Sequence, residues 1–307
     1  MPDATVPPGR ADASREPQQD AGVSVRRRPR STARRLLGSF RFVVGTILTL
    51  AMLIMAVGAP WIATHDPLRT NTLNRLAPPS AEHWMGTDNH GRDLFSRVVY
   101  GARVSIVVGV GVVVLTTLIG GGLGLVAGFY RRVSGPIMRV MDALLSFPAV
   151  LLAIAILAAL GPMLATVVIA LTITYAPHTA RVARAAALGL KELDYVSAAR
   201  SLGCSDLRII LRHIVPNLLS PVMVQATFIL ALAILAEAGL SFVGAGTQPP
   251  TPSWGNILAD GRQFMYQAWW MTVFPGSFIA LVVLGVNLLG DGIRDVLDPH
   301  MKGIQMT

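Results

Sequence analysis

Charge is missing from long stretches of this 307-residue chain. Phe42 to Thr64 is 23 residues without Asp, Glu, Lys or Arg, Val104 to Tyr130 is a second such stretch, and Ala143 to Ala180 runs for 38. About 20 apolar residues carry an α-helix across ~30 Å of hydrocarbon. The 38-residue stretch is too long for one crossing, and Gly161-Pro162 near its middle predicts a helical hairpin. Two further apolar segments, from about Pro216 to Leu235 and from about Met271 to Gly290, raise the expected number of spans to six. An even number returns the chain to the side on which it starts. The pattern predicts an all-α polytopic membrane protein.

Composition agrees, with 52% hydrophobic and 14% charged residues, against roughly 25% charged in soluble domains. Net charge is +9, and its distribution orients the chain. With the N-terminus inside, nine, three, six and two basic residues fall in the inner segments 1–41, 131–139, 181–212 and 294–302. Only Arg69, Arg75, Arg92, Arg97, Arg103 and Arg262 fall outside. Excess Lys and Arg marks cytoplasmic loops, so both termini are expected on the cytoplasmic side. The expected division is a disordered basic tail (1–35), a first span (36–65), an extracytoplasmic segment (66–103) and a five-helix core (104–300) with a long inner loop at 181–215. The apolar run after the basic tail begins too far in and runs too long for a cleaved signal peptide, so it reads as a retained helix. Arg26-Arg27-Arg28, Arg30, Arg34 and Arg35 read as an inner-leaflet anchor rather than a nucleic-acid patch.

Chemistry-bearing patterns are sparse. The single Cys204 excludes an intrachain disulfide and any multi-cysteine metal site. None of the six histidines pairs with another at i,i+4, and no metal site is expected. Asp88 to Asp93 (DNHGRD) departs from a calcium loop, with His90 at the third position and Val99 where a bidentate Glu belongs. Neither Lys191 nor Lys302 sits in a GxxxxGK[ST] phosphate loop, so any ATP and Mg would be held by another chain. Glu237 is the one ionisable residue near a span, placed by helical rise close to the outer interface. Tyr175, His178, Asn217 and Gln225 are candidates for lining a pathway, although such groups more often bond to neighbouring helices. Gly120, Gly124 and Gly128 form a GxxxGxxxG face expected to pack tightly against another helix.

The inner loop carries most information. Leu190 to Leu202 reads as a helix, Gly203 as its C-cap, and Leu207 to Val215 as an amphipathic helix capped by Ser205 or Asp206. Leu207, Ile210, Leu211 and Ile214 are expected to share one face, and Pro216 to open the fifth span. Ser197-Ala198-Ala199, three residues, Gly203 and then His213-Ile214-Val215-Pro216 resembles the EAA loop of permease subunits in binding-protein-dependent ABC importers. Ser197 replaces the family's glutamate, His213 its isoleucine and Val215 its leucine. HxxPN (His213 to Asn217) is similar to the peptide-transporting branch. So are Met85-Gly86-Thr87-Asp88 with Gly91-Arg92-Asp93, Glu237 to Gly244, Pro249 to Gly255 (PPTPSWG) and Gly290 to Asp295 (GDGIRD). Their order and spacing resemble the C-type permease of dipeptide, oligopeptide and nickel importers over roughly residues 40 to 300.

The resemblance implies a type I importer permease fold, N-terminus in and C-terminus in, with cytoplasmic coupling helices. It implies a homologous second permease, two ATP-binding subunits carrying ATP and Mg, an extracytoplasmic solute-binding protein and a peptide substrate, with no cofactor in this chain and no nucleic acid. Ser197, Ala198, Ala199, Gly203, Asp206 and Pro216 would form the ATPase-coupling element. Asp88, Arg92, Asp93, Glu237 and Trp254 are the candidates for an external gate or for contact with the binding protein. Nickel chelates, haem or another small solute remain open as cargo, as does a stand-alone secondary transporter.

Overall fold

A computed structural model describes residues 38–297. The tail expected over 1–35, with its arginine clusters, and the last ten residues lie outside the described residues. The described chain is helical, with one isolated bridge between Thr87 and Asp93. The principal helices are α1 (Phe40–Val57), α2 (Leu94–Phe129), α3 (Arg131–Leu145), α4 (Ala149–Leu160), α5 (Leu164–Lys191), α6 (Asp194–Ser201), α7 (Asp206–Phe242), α8 (Trp254–Arg262) and α9 (Trp270–Leu297).

Four of these, α1, α2, α7 and α9, are long and apolar enough to cross a membrane, and α3 with α4, bent by 92°, together reach the length and hydropathy of one more. The expected break at Gly161-Pro162 separates α4 from α5, with Gly161 at φ +87. Its first arm is only 12 residues long, about 18 Å of helix. The 28-residue α5 is long enough, but its Thr, Tyr, His and Arg residues keep it out of the strongly apolar set.

Several boundaries differ from the uncharged stretches for identifiable reasons. α1 stops at Val57, and Gly58 and Pro60 start a separate short turn at Ala59–Ile62. α2 begins at Leu94, well ahead of Val104, because the Asp93 carboxylate accepts a hydrogen bond from the Ser96 amide and caps the helix. Arg97 and Arg103 are thereby helical residues. α5 runs through the start of the expected loop to Lys191, because Ala183 and Ala187 are buried against α2. The amphipathic helix expected over 207–215 does not lie apart. It continues into α7 through a π-helical turn at Ile210–Ile214. That wider turn precedes Pro216, which has no N–H and whose ring would crowd a regular α-turn.

Small residues set the closest approaches. A Cβ at Gly120, Gly124 or Gly128 would collide with Ala176, Ala180 or Ala187 of α5. The GxxxGxxxG face is thus a close helix contact within the bundle. α1 lies on α9 in the same way, with Gly45 against Leu289 and Gly292 against Phe42. Three buried clusters follow along the bundle: around Trp254, Leu94 and Met271, around Val108, Leu171 and Ile229, and around Phe129, Ile209 and Ile214. The first and last adjoin the two regions of functional interest.

Candidate functional site

At one end of the bundle, α6 and the start of α7 make a compact corner. Gly203 has φ +78 and ends α6. The Cys204 amide donates to the Ala199 carbonyl at 3.1 Å and the Gly203 amide to the Arg200 carbonyl at 3.0 Å. These are the paired bonds of a Schellman cap, and they require a residue that takes positive φ cheaply. Ser205 occupies the N-cap of the following helix, but its hydroxyl makes no capping bond.

The corner has distinct inner and outer faces. Val196, Ala199, Ile209 and Ile214 are buried with Phe129. Ser197, Ala198, Gly203, Asp206 and Pro216 are exposed. Ala199 therefore differs from its neighbours: it packs inward, on the chain's own core. Beside the exposed small residues stand Leu202, 85% exposed, with Leu207 and Leu211. The four residues expected on one face are thus divided. The π-turn brings Ile209 and Ile214, five apart, into the core and leaves Leu207 and Leu211 outside.

At the opposite end of α7, residues 64–93, α8 and the loop after α7 form a polar cap. Asp88 is 1% exposed and organises its own turn. Its Oδ1 accepts from the His90 and Arg92 amides at 2.8 and 3.0 Å, and its Oδ2 from Arg92 Nε at 2.6 Å. Arg97 Nε lies 3.4 Å from the same oxygen, and Arg92 reaches Asp260 of α8 at 3.6 Å. Burial raises the Asp260 carboxyl above its ordinary value, opposed by the Arg97 and Arg92 guanidiniums. Asp93 Oδ2 is held by the Ser96 hydroxyl at 2.7 Å, and Asp93 Oδ1 meets His83 Nδ1 at 2.8 Å.

Glu237 and Trp254 belong to the same construction. Glu237, fully buried, accepts from Ser241 Oγ at 2.8 Å and Thr247 Oγ1 at 3.2 Å, pinning the loop that follows α7. Trp254, also fully buried, donates from Nε1 to the Val98 carbonyl at 2.8 Å, seated on Gly101. Asp88, Arg92, Asp93, Glu237 and Trp254, the candidates for an external gate or for contact with the binding protein, are thus all buried within this cap. Their side chains point into the cap and hold it together through partners found inside, although Glu237 Oε2 is left without one.

The pathway candidates are dispersed. Tyr175 is buried against α2 and α7, whereas His178 is exposed, their rings 6.2 Å apart. Asn217 is exposed and donates to the His213 carbonyl of its own helix at 2.7 Å, and Gln225 is half-buried. Two features escaped the sequence reading. Asp260 pairs with residues far away in the chain. His65, His83 and Asp93 converge with ligand atoms all within 4.8 Å of one another. Their irregular spacing leaves no periodic signal to find.

Comparison with known proteins agrees with this architecture. Residues 120–303 match the family described as binding-protein-dependent transport system inner membrane component, and residues 30–79 match the N-terminal TM domain of oligopeptide transport permease C. A putative peptide transport system permease protein of Brucella suis is 55% identical over 271 residues, covering 88% of this chain and 92% of the relative. The dipeptide transport system permease protein of Alkalihalophilus pseudofirmus is 47% identical, covering 85% of this chain and 86% of its own. A probable D,D-dipeptide transport system permease protein of Escherichia coli is 44% identical, covering 88% and 91%. A chain of the inward-facing MetNI methionine ABC transporter shares the fold with a TM-score of 0.55 at 19% identity, covering 66% of this chain and 97% of its own. The chain belongs to the binding-protein-dependent transport system inner membrane components, as a non-catalytic, multi-pass permease subunit of an ABC importer.

Proposed function

We propose that this permease carries di- or oligopeptides across the bacterial inner membrane, delivered by an extracytoplasmic solute-binding protein and driven by ATP bound to partner subunits with Mg. The peptide class is the one named for the relatives in Brucella suis and Alkalihalophilus pseudofirmus. A homologous second permease would complete the pathway. In this reading α5 and the bent pair α3–α4 join α1, α2, α7 and α9 as six spans. Both termini are cytoplasmic, as the distribution of basic residues favours.

The observation that carries the coupling role is the two-faced corner at Ser197–Leu211. Its inner face is fixed by Val196, Ala199, Ile209 and Ile214, and its outer face offers Ser197, Ala198, Leu202 and Leu207 to a groove on an ATPase subunit. α7 is continuous for 37 residues from Asp206 to Phe242. Closure of the ATPase pair would push one end of this rod, and Glu237 near the other end would carry the motion into the cap. Exposed Ser197, Ala198, Gly203, Asp206 and Pro216 are thereby assigned to coupling. Tyr175, His178, Asn217 and Gln225 remain pathway candidates.

The test uses the tagged full chain purified gently from membranes. A second permease and two ATPase subunits should accompany it, and hydrolysis should rise when peptide-loaded binding protein is added. Gly203→Leu should stay in the membrane while peptide uptake is lost. Uptake by the chain alone, without ATP, would sink the proposal.

A further inference from the structure

The polar cap contains a donor set that lies apart from the Asp88–Arg92–Arg97–Asp260 network and from the coupling corner. His65 follows the short turn after α1, His83 lies in the loop before α2, and Asp93 caps α2. We propose that these three side chains bind one divalent transition-metal ion, with zinc the best match.

Preorganisation is the first argument. Asp93 Oδ2 is committed to the Ser96 amide and hydroxyl at 2.8 and 2.7 Å, which fixes the carboxylate plane and turns Oδ1 toward the histidines. Outer hydrogen bonds of this kind orient metal-ligating carboxylates. Oδ1 lies 2.8 Å from His83 Nδ1 and 3.8 Å from His65 Nδ1. The His65 backbone is anchored independently, its amide donating to Ser96 Oγ at 3.0 Å.

Charge and hydrogen bonding supply the second. One carboxylate oxygen serves His83 well, but 3.8 Å is too far for a hydrogen bond to His65, whose Nδ1 lies instead 3.0 Å from the Thr64 hydroxyl. The imidazole rings are 4.9 Å apart, near enough for both to reach one ion. A metal ion takes both rings in their neutral form and uses the carboxylate as its anionic ligand. Four-coordinate zinc, with bonds of about 2.0–2.2 Å, places its ligand atoms roughly 3.4 Å apart. The present spread of up to 4.8 Å closes by a rotation of the half-exposed His65 ring.

The third argument is access. A cavity of about 200 Å³ opens beside the three ligands. Asp66 and Glu82 stand on its wall with Asp93, against the single cation Arg69, so the cavity tends toward negative charge. It leaves room for a water or a second carboxylate as fourth ligand. Two nitrogens and one carboxylate oxygen favour zinc, cobalt or nickel over calcium and magnesium, which prefer all-oxygen shells. The ion would tie the segment after α1 to the start of α2, at the opposite end of α7 from the coupling corner.

The experiment takes the purified full chain with whatever subunits accompany it, strips it with chelator, adds zinc or cobalt, and measures bound metal after desalting. About one equivalent per chain is expected, undiminished by excess magnesium or calcium. Cobalt should show the intense visible bands of a four-coordinate site. His65→Gln should bind at least tenfold more weakly, with elution unchanged on gel filtration, while His213→Gln at the distant corner should bind like the parent. Equal retention by His65→Gln and the parent would overturn the site, as would the pale spectrum of six-coordinate cobalt on the unsubstituted chain.

Discussion

The two ends of α7 are built on opposite principles. At the cap, charged and polar groups are drawn inside and answered by partners: Asp88 by Arg92 and Arg97, Glu237 by Ser241 and Thr247, Trp254 by the Val98 carbonyl. At the Ser197–Leu211 corner, the buried cluster is apolar, from Ala199 up to Ile209 and Phe129, and further large apolar side chains such as Leu202 are left outside. A buried polar network resists deformation, because each broken bond strands a desolvated partner. An exposed apolar corner loses little on moving and gains when another surface covers it. The cap is therefore suited to serve as a frame, and the corner as a contact.

The contrast is most severely tested at Asp88. Asp88→Ala leaves Arg92 and Arg97 buried without their shared carboxylate, and breaking such a pair costs about 3–5 kcal/mol. The folded yield and the thermal midpoint in detergent should fall sharply. Unchanged stability would show that the cap is not held by this network.

Next comes the packing between the ends. In Gly124→Val a Cβ would meet the Ala180 carbonyl and force α2 from α5. Overpacking of this kind costs about 1–3 kcal/mol. Gly121→Ala, with open space at its Cβ, serves as the tolerated control in the same thermal assay.

At the corner the order of effects should reverse. Leu202→Ser removes an exposed side chain and should shift stability by no more than about 0.5 kcal/mol. Recovery of ATPase subunits with the tagged chain should nevertheless drop several-fold. Normal recovery would move the docking surface elsewhere.

The smallest effect is expected at Asp260. Its carboxyl is raised in the folded chain, so the protonated form is favoured and stability is lost as pH rises from the ordinary value of 3.8 through the folded value. Asp260→Asn should flatten that part of the stability–pH curve and change little else. A steeper curve would mean that the attraction of Arg92 and Arg97 outweighs burial.

Much of this molecule was determined by sequence alone. Uncharged stretches located the apolar helices, Gly161-Pro162 marked the break between α4 and α5, and the glycine spacing of α2 announced a close helix contact. Those are local or periodic properties, legible because hydrophobic burial and backbone conformation act over a few residues. Gly203 was readable for the same reason. Which way a polar side chain faces is not local. Asp88 and Trp254 look like surface residues in their motifs and turn inward only because Arg97, Asp260 and the α2 backbone come to meet them. The π-turn at Ile210–Ile214 rotates one leucine pair out and one isoleucine pair in, undoing a face that a period of 3.6 predicts. His65, His83 and Asp93 stand at spacings without periodic meaning, and only the closure of the segment between α1 and α2 brings them together.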